Sequence, residues 1–342
     1  MNNANVKQLN SQITLASVFP ELGFSPKVAI DIPAFPSRFE IPTFDKNYKP
    51  NNKTLKQALM WLLNPQDRGL WCFGPPGTGK TELFHYVCGK LGLPLMVISA
   101  TPDTRVDKLQ GKFVLTKDGD STVTTFELAA IAEAMKFGIP IILDEGDKLT
   151  PETAAALHRP AELKPWLVED TKEVIKPSKF FRLIVCANTN GRDMHPAFPA
   201  SQEQDDAFLD RFDFIHFDYL APSQEIEVLK SIYPEVGLNS LSLMVKAANL
   251  LRDATFGASV NGRRDFTQSS GVNAKVTLRT LKAWLGHSRM FGHNEALNEC
   301  LKPCFLNGLD NNTYDALVGQ NGLLKKTLGD AINMSVNKLD GK

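Results

Sequence analysis

The chain has 342 residues, with 38 basic and 38 acidic side chains, so its formal net charge is zero. That excludes binding to nucleic acid through a strong overall basic field and leaves only a local patch as a route to DNA, so nucleic acid is not the expected partner. An apolar fraction of 43% allows a sizeable core, no apolar run has the length of a membrane span, and the N-terminus lacks the regions of a secretory signal. Five scattered cysteines suggest no disulfide framework; reduced thiols in a cytoplasmic protein are expected.

Residues 1–45 are polar and then proline-rich (Ile32-Pro-Ala-Phe-Pro36, Ile41-Pro42) and read as an extended N-terminal arm. Residues 46–220 read as an α/β nucleotide-binding core. Lys53 to Leu63 has helical periodicity, with Leu55, Ala58, Leu59 and Leu62 on one face, a cap at Asn52 or Thr54, and Pro65 ending it. Leu70–Phe73 is a strand. It leads into Gly74-Pro-Pro-Gly-Thr-Gly-Lys-Thr81 and a helix from Glu82 to Leu91. Leu95–Ile98 reads as a second buried strand. Phe113–Phe126 reads as a hairpin, with Asp118-Gly119 at the turn, interrupting a helical region that resumes at Glu127 to Phe137. Ile139–Leu143, Phe181–Ala187 and Phe214–Tyr219 are three more strands, and Trp166–Ile175 is a second hairpin. Alternating strands and helices predict a parallel five-stranded sheet covered on both faces. Residues 221–342 are helical, broken by the Gly/Ser/Asn-rich stretch Gly257 to Asn273.

The octapeptide at 74–81 fits the phosphate-loop pattern without mismatch, between a strand and a helix. Its glycines let successive backbone N–H groups turn toward an anion, and the helix presents its positive end to the same place. Gly74, Pro75, Pro76, Gly77, Thr78, Gly79, Lys80, Thr81 and Glu82 are the expected ATP-binding residues. Lys80 would reach the β- and γ-phosphates, and the Thr81 hydroxyl would ligate Mg²⁺. The strand at 139–143 delivers Asp144 and Glu145 to the end of the sheet where such folds bind ligands. Asp144 is placed to hold Mg²⁺ through water and Glu145 to polarise the attacking water. Asn188, or alternatively Asn190, follows the fourth strand and could orient that water. Arg211 and Arg279 could stabilise transition-state charge; on local sequence alone both read better as ion pairs, Arg211 with Asp210 or Asp213. Cys300 and Cys304 are one helical turn apart, but no second pair completes a metal site.

The order GPPGTGKT, ILDE, CANT, LDRFD, TLRTLKAW resembles the AAA+ ATPases over about residues 25 to 290. The two hairpins resemble the helix-2-insert branch, which includes MoxR-type ATPases and magnesium chelatase. Within it the chain is most similar to the ATPase subunit of aerobic cobaltochelatase, in the proline-rich lead through Tyr48, in Asp107-Lys-Leu-Gln-Gly111, in Phe181–Thr189 and in Asp210-Arg-Phe-Asp213. Pro75-Pro76 departs from that subunit toward the commoner AAA+ form. The resemblance implies an AAA+ core followed by a smaller helical lid. It gives Gly74–Thr81 as Walker A, Asp144 and Glu145 as Walker B, Asn188 as sensor 1, Arg279 as sensor 2, and Arg211 as an arginine finger acting on a neighbouring subunit. Arg159 and Glu162 fall near the same subunit boundary. It further implies Mg-dependent ATP hydrolysis by a homo-oligomeric ring, a hexamer, that remodels a partner carrying a von Willebrand A domain. Other readings are a MoxR-like chaperone for an unrelated complex and a nucleic-acid translocase.

Overall fold

The computed structural model describes residues 11–118, 121–192, 197–260, 263–264, 274–319 and 322–342. The chain divides into two compact units: Met1–Gly74 with Gly79–Met194 and Phe198–Phe217, and Pro75–Thr78 with His195–Ala197 and Asp218–Lys342.

The first unit is built on a sheet of five parallel strands. In chain order these are β3 (Gly69–Phe73), β4 (Met96–Ser99), β7 (Pro140–Asp144), β10 (Arg182–Ala187) and β11 (Phe212–His216), arranged β11-β3-β10-β7-β4. β3, β10 and most of β7 are buried, which explains why their sequences are unbroken apolar runs rather than alternating ones. β4 differs from its expectation as a buried strand. It lies at the sheet edge, its residues alternate between half-buried and exposed, and Val97 is 41% exposed.

Helices cover both faces. One core layer packs Trp71, Leu143 and Val185 against Ile131, Met135 and Phe208; the other packs Leu70, Ile142 and Ile184 against Leu59, Leu83 and Val87. Each such fully buried side chain contributes about 1.5–3 kcal/mol. The helix Asn52–Leu63 is capped by Asn51, whose side chain accepts from the N–H of Lys53 and Thr54, so the cap lies one residue before the expected Asn52. At its other end Leu62 O accepts from Arg182 Nε at 2.8 Å; the buried guanidinium also holds Lys179 O and Phe181 O.

Residues 11–32, expected as part of an extended arm, form an antiparallel pair of β1 (Ser11–Thr14) with β2 (Ala29–Ile32). Leu15, Phe19, Ile30 and Ile32 are buried in the second core layer. The apolar residues that anchor the segment are spaced too irregularly for a pattern to reveal them.

The first insert hairpin pairs β5 (Gly111–Asp118) with β6 (Ser121–Leu128) in full register; Gly119 of its turn lies outside the described residues. β6 runs through Leu128, so the following helix starts at Ala130 rather than at the expected Glu127. The second hairpin is shorter, β8 (Trp166–Leu167) with β9 (Val174–Ile175).

The second unit is helical, through Pro222–Ile232, Leu238–Phe256, Leu278–Met290, Leu297–Cys304 and Asn311–Val318. A two-residue ladder, Ser259–Val260 with Arg263–Arg264, lies in the stretch expected to break the helices; residues 261–262 and 265–273 lie outside the described residues. A fully buried ion pair joins the first two helices: Arg252 meets Glu225 at 2.8 and 2.9 Å, donates to Val276 O at 2.7 Å and stacks on Tyr219 at 4.0 Å. All five cysteines are free, and among the described residues no His/Cys/Asp/Glu cluster could hold a metal ion.

Candidate nucleotide site

The parallel register collects the chemistry at one end of the sheet. Phe73 lies beside Ala187, and Asp144 beside Cys186. The chain therefore leaves β3 at Gly74, β7 at Glu145 and β10 at Asn188 along one edge, the C-terminal edge where open α/β sheets bind ligands.

Gly74, Gly77 and Gly79 have φ of 143°, 74° and 84°, a region that other residues enter only under strain. At Gly74 a Cβ would also collide with the Phe217 carbonyl. Thr78 Oγ1 turns inward onto Pro75 O at 2.9 Å. Gly79 is the N-cap of the helix Lys80–Leu91 and, having no side chain, places no side-chain acceptor over its first N–H groups. Tyr48 braces the same residue, its hydroxyl donating to Gly79 O at 3.2 Å. Lys80 is 8% exposed and donates to Gly74 O at 2.8 Å. Burial lowers its pKa; Asp144 and Asp147 are among the groups that oppose the shift. Glu82 accepts the N–H of Asp45 at 3.3 Å and so faces the proline-rich segment.

Thr81 Oγ1 donates to Asp144 Oδ2 at 3.2 Å, which brings together the two expected metal ligands from loop and strand. Both are hard oxygen donors, the set that suits Mg²⁺. Asp144 Oδ1 accepts the N–H of Glu145 at 3.0 Å. Glu145 itself has φ of 57°, a left-handed conformation that costs a non-glycine residue about 1–2 kcal/mol. That conformation turns the chain sharply at the sheet edge. The Glu145 carboxylate is half-exposed and pairs with Lys148 at 2.7 Å.

Asn188 is half-buried at the end of β10, and its N–H donates to Asp147 at 3.1 Å. The Asn190 side chain accepts the N–H of Arg192 at 2.9 Å in a local turn.

The strand register does not bring the two arginines to this edge. Arg211 O accepts from Gly69 N at 2.9 Å, so Arg211 stands at the start of β3, whereas Gly74 follows its end. Five residues of strand separate them by roughly 16 Å. Its side chain pairs with Glu162 at 3.2 Å and donates to Ala207 O, while Asp213 pairs with Arg68; neither Asp210 nor Asp213 is the Arg211 partner. Arg279 belongs to the second unit. It is exposed in the first turn of the helix Leu278–Met290, whose Thr277–Thr280 capping box fixes the start.

One residue of this neighbourhood carries no signature in the sequence. Asp147 follows Glu145 in a Gly-Asp-Lys turn, and its side chain is fully buried and touches residues more than forty positions away. Its distance from those partners in sequence is what hides it.

Residues 70–212 match the model of the AAA domain, dynein-related subfamily. The aerobic cobaltochelatase subunit CobS of a Sinorhizobium species is 25% identical over 260 residues, 74% of each chain. Protein CbbQ of Hydrogenophilus thermoluteolus is 28% identical over 157 residues, 46% of this chain and 55% of that one. Among solved structures, a RuvB mutant of Thermotoga maritima aligns with a TM-score of 0.46 at 16% identity, covering 84% of this chain and 83% of that one.

Proposed function

Residues 70–212 are an AAA domain and the protein is an AAA+ ATPase; from that premise we propose that it hydrolyses MgATP as a homo-oligomeric ring, a hexamer, and uses the cycle to remodel a partner protein. The observation that carries the chemistry is the meeting of Thr81 with Asp144 at 3.2 Å, with Lys80 on one side and Glu145 on the other. Lys80 and the N–H groups of the loop bind the β- and γ-phosphates. Thr81 and Asp144 would hold Mg²⁺, which neutralises charge on the phosphates. Glu145 accepts a proton from the attacking water, and Asn188 orients that water.

The ring is supported by the position of Arg211. A guanidinium at the far end of β3 does not reach the loop of its own protomer, so a role on phosphate requires a neighbouring copy. Site and finger are then different surfaces of one chain, and such head-to-tail contacts form a ring where the rotation between copies closes. Arg279 is assigned to sensing the phosphates from the helical lid, residues 221–342. CobS is by name a subunit of a larger enzyme, which supports a partner here; we assign that partner a von Willebrand A domain, and we assign this protein to the cytoplasm.

Glu145→Gln keeps the side chain's size and removes the base. It is expected to bind ATP as the wild type does and to lose turnover by about 100-fold or more. A steady-state phosphate-release assay beside a fluorescent-nucleotide titration tests this, and wild-type turnover would remove Glu145 from the mechanism.

A further inference from the structure

We propose that Asp147 is a positioning residue that fixes Glu145 and Asn188 relative to one another. The inference rests on the reading of Glu145 as base and Asn188 as water-orienting group. Asp147 is 0% exposed. Its Oδ2 accepts from four donors: Ser201 Oγ at 2.6 Å, the N–H of Asn188 at 3.1 Å, the N–H of Thr189 at 3.2 Å and Thr189 Oγ1 at 3.3 Å. Its main-chain oxygen accepts from Gln202 N at 2.7 Å. Three segments that touch nowhere in sequence are therefore tied to one carboxylate: the turn after β7, the end of β10, and the loop around residue 201.

The tie acts on the two groups that matter. Asp147 lies inside the tight turn Gly146–Lys148, which Glu145 opens in its left-handed conformation and closes by accepting the N–H of Lys148 at 2.9 Å. Gly146 packs so closely on Val185 of β10 that a Cβ would collide with it, so the turn has no slack on that side. On the other side the carboxylate grips the first two N–H groups beyond β10. Moving Asp147 moves Glu145 against Asn188.

A buried carboxylate is costly unless its oxygens are satisfied, and among the described residues Oδ1 has no hydrogen-bond partner. A neutral amide in its place would hold the four donors more weakly, because hydrogen bonds to a charged oxygen are about twice as strong.

The test compares kcat, ATP affinity and melting temperature in Asp147→Asn and Ser201→Ala of the full chain. Asp147→Asn keeps one acceptor oxygen, loses the charge and loosens the grip. It is expected to lower kcat about 10- to 100-fold while leaving the affinity for a fluorescent ATP analogue unchanged. Ser201→Ala removes one donor only and should show a smaller loss of kcat, again without loss of affinity. Wild-type kcat in Asp147→Asn overturns the proposal, as does a loss of affinity that matches the loss of kcat. Should Asp147→Asn not fold, wild-type kcat in soluble Ser201→Ala overturns it equally. Glu145→Gln separates the two readings: full turnover there removes the base itself, whereas an inactive Glu145→Gln beside a fully active Asp147→Asn removes only the role given to Asp147.

Discussion

Lys80 sits where an ammonium is least comfortable, nearly out of solvent at the base of the phosphate loop, with its pKa lowered by burial. The Gly74 carbonyl is a neutral partner at 2.8 Å and offsets little of the desolvation. A polyphosphate adds negative charge beside the buried ammonium, so part of the cost of burying the lysine is recovered when nucleotide binds. Lys80→Met should therefore separate binding from stability. A charge-assisted hydrogen bond contributes about 1.5–3 kcal/mol, so affinity for ATP should fall about 10- to 150-fold. The melting temperature without nucleotide should stay the same or rise, because the buried charge is gone. A lower melting temperature without nucleotide would mean that Lys80 supports the fold itself. The residue scale was also where the sequence was most legible. Lys80, Thr81, Asp144 and Glu145 sit beside their own backbone turns, so a motif records them, whereas Asp147 is bonded to partners 41 to 54 positions away and no local pattern can record it.

Among elements, the buried strands β3, β7 and β10 announce themselves as short unbroken apolar runs. β4 misleads because the run Leu95–Ile98 looks the same whether a strand is central or at the edge; only the sheet order decides. The hairpin β5–β6 was legible from its alternation and turn, though not the strand residues Glu127 and Leu128, which could equally begin a helix. A two-stranded ribbon is marginal alone. This one is held by its eight-pair ladder and by the Phe113–Phe126 pair, rings 5.1 Å apart and nearly perpendicular. Beyond that pair, Leu115 is 74% exposed on the same strand and stabilises almost nothing. Leu115→Ser should change unfolding free energy by less than about 0.5 kcal/mol and leave basal ATP turnover intact. A denaturant melt that moves by more would place Leu115 in the fold rather than on a surface available to a partner.

At the scale of the whole molecule, the decisive feature is that Arg211 and the phosphate loop lie at opposite ends of β3. Arg211 is meanwhile engaged by Glu162 in its own protomer, so acting on a neighbour's phosphate exchanges one anion for another. In the proposed ring, catalysis is a property of the boundary between copies, and mixing experiments can read it. Lys80→Met protomers bind ATP poorly but present Arg211. Arg211→Ala protomers bind ATP but present no finger. Each alone should be nearly inactive. In an equal mixture that assembles at random, about one boundary in four pairs an intact loop with an intact arginine, so turnover should recover to about a quarter of the wild-type value per protomer. The recovery should appear only when the two variants assemble together, and it should vanish on dilution below the assembly concentration. A mixture no more active than the sum of its parts would return the whole site to a single chain, and Arg211 would then be an ion-pair partner of Glu162 and nothing more.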